Sequence, residues 1–174
     1  ESLKRQNSLF SSLLKNIPAG VFMVEVPSGR PLLANEAAVQ LLGRGLIPDS
    51  TKTTLAEVYR AHKVGSRDPY PTEEMPIVLG MSGKVSHVDD MVIERPDGTE
   101  TPLEVFGSPV CEDTGEIWAS LVCFLDITDR KKAETVLREN NARHAKMVAN
   151  IADVIAIIDQ AGINRYKSPN IEKL

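Results

Sequence analysis

The sequence predicts an α+β fold in which one antiparallel sheet is covered by helices on a single face. Three runs rich in β-branched residues, at 85–95, 100–110 and 117–125, are joined by the turns Pro96-Asp97-Gly98 and Glu112-Asp113-Thr114-Gly115. Asp-Gly and Asp-Thr-Gly turns between such runs are strong hairpin signals. The helices precede and follow this group of strands instead of alternating with them, which favours an antiparallel sheet.

The amino-terminal part of the chain is predicted to contain a helix, a hairpin and a short second helix. Apolar residues at a spacing of three and four predict the first helix over 2–16. Two apolar runs, at 21–26 and 30–34, flank a Pro-Ser-Gly turn and predict the hairpin. Asn35 is a favourable N-cap for the second helix, over 36–42.

The middle of the chain has weaker patterns. Residues 44–70 are predicted to be irregular, with one short helix around 55–60. A further helix is predicted over 72–82, with acidic residues in its first turn, where they complement the helix dipole. Pro76 lies inside this last pattern and is tolerated only near the start of a helix.

A long polar helix is predicted to follow the last strand, capped by Asp126 or Thr128 and ending near residue 150. Because it is too polar to be buried in a core of its own, we expect it to pair with a second copy of itself. Its weak heptad seam consists of Ala133, Leu137, Asn140 or Asn141, His144, Met147 or Val148, and Ile151.

A repeat relates the two ends of the sequence. Residues 16–25, Asn-Ile-Pro-Ala-Gly-Val-Phe-Met-Val-Glu, are echoed at 150–159 by Asn-Ile-Ala-Asp-Val-Ile-Ala-Ile-Ile-Asp. Self-similarity over such a long separation indicates tandem domains. We therefore expect residues 150–174 to be the truncated start of a second domain of the same kind.

The composition is that of a globular protein and narrows the possible functions. Hydrophobic residues make up 42% and charged residues 25%, which excludes a disordered polyelectrolyte. The net charge of −4 and the aromatic content of 5% argue against a nucleic-acid interface, which needs basic and stacking side chains. No apolar run reaches the roughly 18–20 residues of a membrane span. The two cysteines are interpreted as reduced thiols of a cytoplasmic protein.

Five short strings resemble those of the PAS (Per-Arnt-Sim) sensory domain, and the resemblance covers residues 10–132. The most specific is the Asp-Ile-Thr that directly follows the last of the three strands. The strings are Asn16-Ile-Pro-Ala-Gly-Val-Phe22, Ala34-Asn35-Glu-Ala-Ala38, Tyr70-Pro-Thr-Glu-Glu-Met-Pro76 with Gly80 and Gly83, Glu94-Arg-Pro-Asp-Gly-Thr99 and Asp126-Ile-Thr-Asp-Arg-Lys131.

The resemblance implies a PAS fold, in which a five-stranded antiparallel sheet of order 2-1-5-4-3 cups a small cavity under its helices. It also implies a sensory module that detects a ligand, a cofactor or a partner and passes the change through its exit helix to an effector. The expected organisation is an N-terminal helix at 1–16, a PAS domain at 17–126, a signalling linker helix at 127–149 and the start of a second PAS domain at 150–174.

In the orientation that the PAS fold implies, alternate residues of three strands face the cavity. Trp118 is expected to face inward with them. The guest is expected to be small, apolar and neutral or weakly anionic, and the alternative is a dry core without a guest. The pocket candidates are Tyr59, Met75, Val78, Leu79, Met91, Ile93, Leu103, Val105, Gly107, Ser120, Val122 and Phe124.

The other face of the sheet is predicted to be apolar as well, and an apolar outer face needs a cover. The N-terminal helix, either its own or that of a partner, would supply it, so we expect a homodimer. Asp126 and Thr128 join the last strand to the exit helix and are expected to transmit the signal. The dimer-interface candidates are Phe10, Leu13, Leu14, Leu121, Leu125 and Leu137.

No catalytic or metal-binding constellation is recognisable in the sequence. Its three histidines and two cysteines lack the spacing of a zinc site or a catalytic triad. Flavin-photoreceptor PAS domains need an Asn-Cys-Arg-like string in a helix, and the haem type a histidine from the helix at 72–82, which has none. His62 is the alternative axial ligand, and no cofactor is predicted.

We therefore predict a cytoplasmic, non-catalytic sensory module of a multidomain signal-transduction protein, with the effector in the same chain. A sensor histidine kinase is the expected parent protein, and a diguanylate cyclase or a transcription regulator is the alternative. For the module itself, the alternative is a purely structural role in dimerisation.

Overall fold

A computed structural model describes residues 2–150 and 156–167 of the chain, without the side chains of 148–150 and 167. The chain divides into two compact units after Thr128. The elements of the first unit are α1 (Ser2–Asn16), β1 (Gly20–Glu25), β2 (Pro31–Ala34), α2 (Glu36–Leu42), α3 (Leu55–Val58), β3 (Ala61–Lys63), a 3-10 turn (Thr72–Glu74), α4 (Pro76–Met81), β4 (Ser86–Glu94), β5 (Glu100–Cys111) and β6 (Ile117–Asp126).

The first unit is built on one antiparallel sheet with the strand order β2-β1-β6-β5-β4-β3. The predicted α+β fold is confirmed, but the sheet has six strands instead of five. The additional strand, β3, lies in a stretch predicted to be irregular and pairs with β4, Ala61 opposite Ile93. Three residues are too few to show a strand pattern, so the pairing depends on the partner strand.

The helix predicted over 72–82 is interrupted. Its first part is the 3-10 turn, and α4 begins only at Pro76. Between them, Met75 is extended, with a ψ of 127°, because the residue before a proline is sterically kept out of the helical region. Pro76 is then the first residue of α4, where its missing N–H costs nothing.

The core of this unit lies between the inner face of the sheet and helices α2, α3 and α4. The alternation of β6 brings Ser120, Val122 and Phe124 to this inner face, where all three are buried. Trp118 has the same parity but is 41% exposed, which contradicts its predicted inward position. It lies just beyond the last residue pair of β1 and β6, Glu25 with Ala119, and its carbonyl accepts a hydrogen bond from the N–H of Val26.

Two glycines let α4 lie directly against the sheet. A Cβ atom on Gly80 would lie 2.2 Å from the hydroxyl oxygen of Ser120, and one on Gly107 would lie 2.5 Å from the carbonyl oxygen of Pro76. The Ser120 hydroxyl donates a hydrogen bond of 2.6 Å to the carbonyl of Ile77. Helix α4 is therefore held on β5 and β6 by backbone contact.

The second unit contains α5 (Thr128–Asn150) and a hairpin of β7 (Ala156–Ile158) and β8 (Asn164–Lys167). The predicted seam of α5 extends to the side chain of Val148 and to Ile151, which lie outside the described residues. Of the predicted second domain, residues 151–155 and 168–174 also lie outside them. The part of the chain that the structure describes contains no helix long and apolar enough to cross a membrane.

Candidate functional site

A cavity of about 60 Å³ lies between the inner face of the sheet and the helices above it. Each residue of its wall is at most 6% exposed, so the cavity belongs to the buried core. The wall consists of Phe22, Leu42, Leu55, Tyr59, Ala61, Met75, Pro76, Ile77, Met91, Ile93, Leu103, Val105, Val122 and Phe124.

Eight of the twelve pocket residues predicted from the sequence belong to this wall, and four do not. Gly107 and Ser120 are covered by α4, whose close approach takes up the space in front of them. Val78 and Leu79 are on α4 but line a surface groove beside Lys52. The eight that line the cavity are Tyr59, Met75, Met91, Ile93, Leu103, Val105, Val122 and Phe124.

Six wall residues are not among those predicted from the sequence. Phe22 follows from the alternation of β1, a signal that was present in the sequence. Ala61 belongs to the strand that was not predicted. Leu42 and Leu55 come from short helices, whose orientation depends on tertiary contacts and leaves little trace in the sequence. Pro76 and Ile77 face the cavity because α4 starts one residue after the extended Met75.

The polar groups nearest to the cavity already have partners. The hydroxyl of Tyr59 donates to the carbonyl of Gly45 and accepts from the backbone N–H of Ile47, both at 3.2 Å. Burial raises the pKa of this phenol above its ordinary value. Its ring packs edge-on against Phe22, with 5.3 Å between the ring centroids. Tyr59 therefore contributes an apolar ring to the wall.

A group of charged and phenolic side chains fastens the segment before α4 to the sheet. The hydroxyl of Tyr70 donates to the carboxylate of Asp90 at 2.8 Å. Lys63 forms an ion pair with Glu74 and lies 5.4 Å from the centre of the Tyr70 ring. Burial, followed by the contact with Asp90, raises the pKa of Tyr70, and the hydrogen bond to Glu74 raises the pKa of Lys63. These contacts hold Met75, which follows Glu74, over the cavity.

The cavity does not fit a haem or a flavin. His62, the alternative axial ligand, is the strand neighbour of Ala61 and lies on the opposite face of β3. Its Nδ1 is 3.1 Å from the carbonyl of Lys63, and its Nε2 is 3.9 Å from the carboxylate of Glu100. A volume of about 60 Å³ is also far below the several hundred Å³ of a site for a molecule of drug size. Within the described ranges, no three potential ligands are grouped as a metal site requires.

The outer face of the sheet carries a partly exposed, largely apolar surface, on which Phe106 is 45% and Leu125 41% exposed. Strand register aligns His87, Phe106, Cys123 and Val21 in one row across four strands. His87 stacks on Phe106, with 4.4 Å between the ring centroids, and its Nε2 is 2.9 Å from the carboxylate of Glu104. Burial raises the pKa of the Cys123 thiol. We call this row, together with Leu121 and Leu125, the outer apolar face.

The predicted dimer-interface residues are unburied in the single chain. Phe10 is 58% and Leu13 53% exposed, and no residue of α1 is buried. Leu14 and Leu121 are half-buried, and Leu125 and Leu137 are exposed. The expectation that α1 covers the outer face of its own sheet is therefore wrong, because such a cover would bury Phe10 and Leu13.

The last strand leaves the sheet through a short hydrogen-bonded turn. The carboxylate of Asp126 accepts a hydrogen bond of 2.8 Å from the backbone N–H of Thr128. The intervening Ile127 is buried, and its N–H donates to the carbonyl of Pro102 on β5 at 3.0 Å. The two predicted transmission residues thus begin α5 in contact with the sheet.

Three relatives illustrate what the chain resembles. Sporulation kinase A of Bacillus subtilis (strain 168) is 25% identical over 177 residues, which is 95% of this chain and 27% of the kinase. An RNA-binding light-oxygen-voltage receptor has a TM-score of 0.56 at 19% identity, covering 78% of this chain and 37% of the receptor. The PAS domain of BvgS from Bordetella pertussis has a TM-score of 0.51 at 20% identity, covering 79% and 97%.

The solved structures and the family model support different conclusions. Because their sequence identity is low, the two solved structures show the fold alone. The chain spans only about a quarter of the curated relative. The family assignment rests instead on a family model described as a PAS domain, which matches residues 18–129 and thus more than half of the chain. The chain therefore belongs to the PAS domain family of sensory, non-catalytic modules.

Proposed function

We propose that this chain is the sensory module of a multidomain signal-transduction protein, a sensor histidine kinase, and that it passes its signal through α5. One observation carries the proposal: strand β6 takes part in two surfaces and leads directly into α5. Its residues Val122 and Phe124 line the cavity, while Leu121 and Leu125 belong to the outer apolar face. Only Ile127 separates its end from α5.

This arrangement supports two sensory mechanisms. A small ligand in the cavity would displace the inner side chains of β6, and a partner on the outer apolar face would displace the outer ones. Either displacement reaches Asp126, whose carboxylate caps the first turn of α5. A ligand shifts a conformational equilibrium by no more than its difference in affinity for the two states, so the module needs two states of similar free energy.

The exposed helix α1 and the outer apolar face support a homodimer as the second part of the proposal. A single chain leaves apolar side chains of both in water, Phe10 and Leu13 on α1 and Phe106 and Leu125 on the outer apolar face, and burying such side chains favours association. A second copy carries the same two surfaces. In the proposed dimer, α1 of each chain covers the outer apolar face of the other chain.

Sedimentation of a double variant tests the dimer. We expect Leu13→Asp with Leu121→Asp to reduce the sedimentation mass from dimer to monomer, because both carboxylates would be buried in the interface. Leu46→Asp with Val64→Asp, at two exposed sites outside α1 and the outer apolar face, serves as the matched control and should sediment as the wild type does. A wild-type chain that is monomeric at high micromolar concentration contradicts the dimer.

The role of α5 is tested in the parent protein. Polar residues at Asn140, Asn141 and His144 weaken the predicted seam, and changing all three to Leu should lock the output in one state. Asp126→Ala should uncouple the output from the stimulus with little change in unfolding free energy, because the carboxylate is exposed. Normal responses in both variants would make α5 a passive tether.

The relation to a sporulation kinase supports a kinase as the parent protein, with its effector in the same chain. Two free cysteines support a cytoplasmic location. The β7–β8 hairpin supports the proposal that a second PAS domain begins at residue 150, since it repeats the pattern of β1–β2. Phosphate transfer from ATP to a histidine of the parent protein is the decisive assay, and cyclic-dinucleotide synthesis or DNA binding in its place would contradict the kinase.

The small volume of the cavity favours a purely structural dimerisation module as the second candidate. In that case the native protein carries no small molecule and the output depends on dimer formation alone. Native mass spectrometry together with absorbance at wavelengths longer than those of the aromatic side chains distinguishes the two, because a bound molecule or chromophore supports sensing.

A further inference from the structure

The size of the cavity limits its guest. An engineered cavity of roughly 150 Å³ lined by Leu, Ile and Phe stays dry and binds benzene or xenon. The cavity under the sheet has about 60 Å³, less than half of that volume. On this scale the guest has no more than about three non-hydrogen atoms.

The wall of the cavity limits the chemistry of its guest. Its fourteen residues are apolar apart from Tyr59, and the hydroxyl of Tyr59 is engaged with Gly45 and Ile47. A guest that carries a hydrogen-bonding group would lose its water partners without replacement, at a cost of roughly 1–3 kcal/mol. An anion would meet no cationic side chain on this wall, so the guest is neutral and apolar.

The wall also differs from place to place in its freedom to move. On the side of α4, Gly80 and Gly107 let the helix backbone contact the sheet directly, and the hydrogen bond from Ser120 to the carbonyl of Ile77 holds it there. On the side of β1, the ring of Phe124 covers Gly20, where a Cβ atom would lie 2.2 Å from the ring. Unbranched and flexible side chains are contributed by Met75 and Met91, which adapt to small changes in volume.

We propose that the cavity is a binding site for an apolar gas or a short hydrocarbon, such as dioxygen or ethylene, bound directly by aliphatic and aromatic side chains. This inference rests on the proposed sensory role of the cavity and specifies what that role detects. Recognition comes from size and from the absence of polar groups on the wall. Molecules as large as benzene are excluded by the fixed position of α4.

Xenon is the probe for the site. The methyl signals of Val105, Val122, Met75 and Met91 are followed by NMR on the chain under increasing xenon pressure. We expect saturable shifts confined to the wall and a rise in the melting temperature, because a ligand that binds only the folded state stabilises it. Benzene should leave the same signals unchanged. Xenon shifts that are absent or that lie only outside the wall overturn the proposal, and so does benzene binding equal to that of xenon.

Variants of the wall separate binding in the cavity from binding elsewhere. Val105→Ile with Val122→Ile adds two methylene groups to the cavity and should abolish the xenon shifts. Val39→Ile, on the exposed side of α2, is the matched control and should bind as the wild type does. Because the double variant risks overpacking, Met75→Ala is the second test: it enlarges the cavity and should admit benzene. Unchanged binding in both wall variants overturns the proposal.

Different measurements test the gas site and the proposed function, so one can be wrong while the other holds. Xenon binding is measured on the chain itself, while the response to dioxygen or ethylene is measured as output of the parent protein. Xenon binding at the wall with no output response to either gas would overturn the sensory role of the cavity. Absent xenon binding overturns the gas site and leaves signalling through dimer rearrangement as the function.

Discussion

Hairpins β1–β2 and β7–β8 arise from the same sequence pattern but have different surroundings. Both have a register shift at equivalent positions of the repeat, between Met23 and Val24 in the first and between Ile157 and Ile158 in the second. Val24 is completely buried beside β6, whereas Ile158 is 59% exposed. The pattern of a hairpin is therefore local, whereas its stability comes from the strands and helices that pack on it.

The largest difference is expected for an inserted charge at these equivalent positions. Val24→Asp buries an unpaired carboxylate and should cost more than about 4 kcal/mol, enough to abolish cooperative folding. Ile158→Asp places the same group in water and should change the free energy of unfolding by less than about 0.5 kcal/mol. Urea unfolding followed by circular dichroism measures both. Equal losses would mean that Ile158 is buried as Val24 is.

The turn glycines of the two hairpins also differ in their surroundings. Gly29 and Gly162 both have a positive φ, of 77° and 79°. A Cβ atom on Gly29 would lie 2.3 Å from the backbone nitrogen of Lys52, whereas one on Gly162 meets no described atom within 4 Å. We expect Gly162→Ala to cost only the backbone strain of roughly 1–2 kcal/mol. Gly29→Ala should cost about 3 kcal/mol or more because the chain near Lys52 must also move. Amide hydrogen exchange in each hairpin measures the loss of stability in the two variants. Equal losses of protection would contradict the additional cost that we assign to the contact of Gly29 with Lys52.

A medium loss in the free energy of unfolding is expected at Asn35, which joins the β1–β2 hairpin to helices α1 and α2. The amide oxygen of buried Asn35 accepts from the N–H groups of Val21 and Ala38, and its nitrogen donates to the carbonyls of Leu14 and Ala19. Asn35→Ala should cost about 2 kcal/mol, since it leaves buried groups unpaired.

Asn35→Asp serves as the control for that prediction, because it keeps the acceptor and loses the donor. It should therefore retain the protection of the Val21 amide against exchange while releasing the end of α1. An alanine variant with unchanged protection at Val21 would show that Asn35 does not hold the hairpin.

The smallest effect concerns the carboxylates at the same position in the two turns, Glu25 and Asp159. The hydroxyl of Ser28, followed by Arg30, lowers the pKa of Glu25. The backbone N–H of Ile163 is the main cause that lowers the pKa of Asp159. A lowered pKa in the folded state contributes stability above the ordinary value near 4, and this stability is lost as the pH falls through the lowered value. NMR titration should show both carboxyls titrating below their usual range. Glu25→Gln and Asp159→Asn should each remove the acid dependence of their own hairpin alone.

The features predicted correctly from the sequence are those that local chemistry determines. Asp-Gly turns and β-branched runs give β4, β5 and β6, and Asn35 accepts from Ala38 as a predicted N-cap does. Strand β3 was not predicted because its three residues are a strand only beside β4. The break at Met75 follows from the proline after it, a signal that is present in the sequence.

The cavity was predictable to the extent that strand alternation defines it. Val105 and Val122 face it because of their parity along β5 and β6. Parity also selected Gly107 and Ser120, which α4 covers instead. Which residues of a strand meet a helix and which meet a void depends on how closely the helix approaches, and this distance is a tertiary property.

The two ends of the sheet have a consequence for how copies of this chain can associate. Strand β2 is four residues long and begins at Pro31, and β3 is three residues long, with Pro69 folded back beside His62. Short edge strands and prolines prevent the addition of further strands, which is the usual route to fibrils. Copies that meet through their apolar outer faces would therefore form closed assemblies rather than growing sheets.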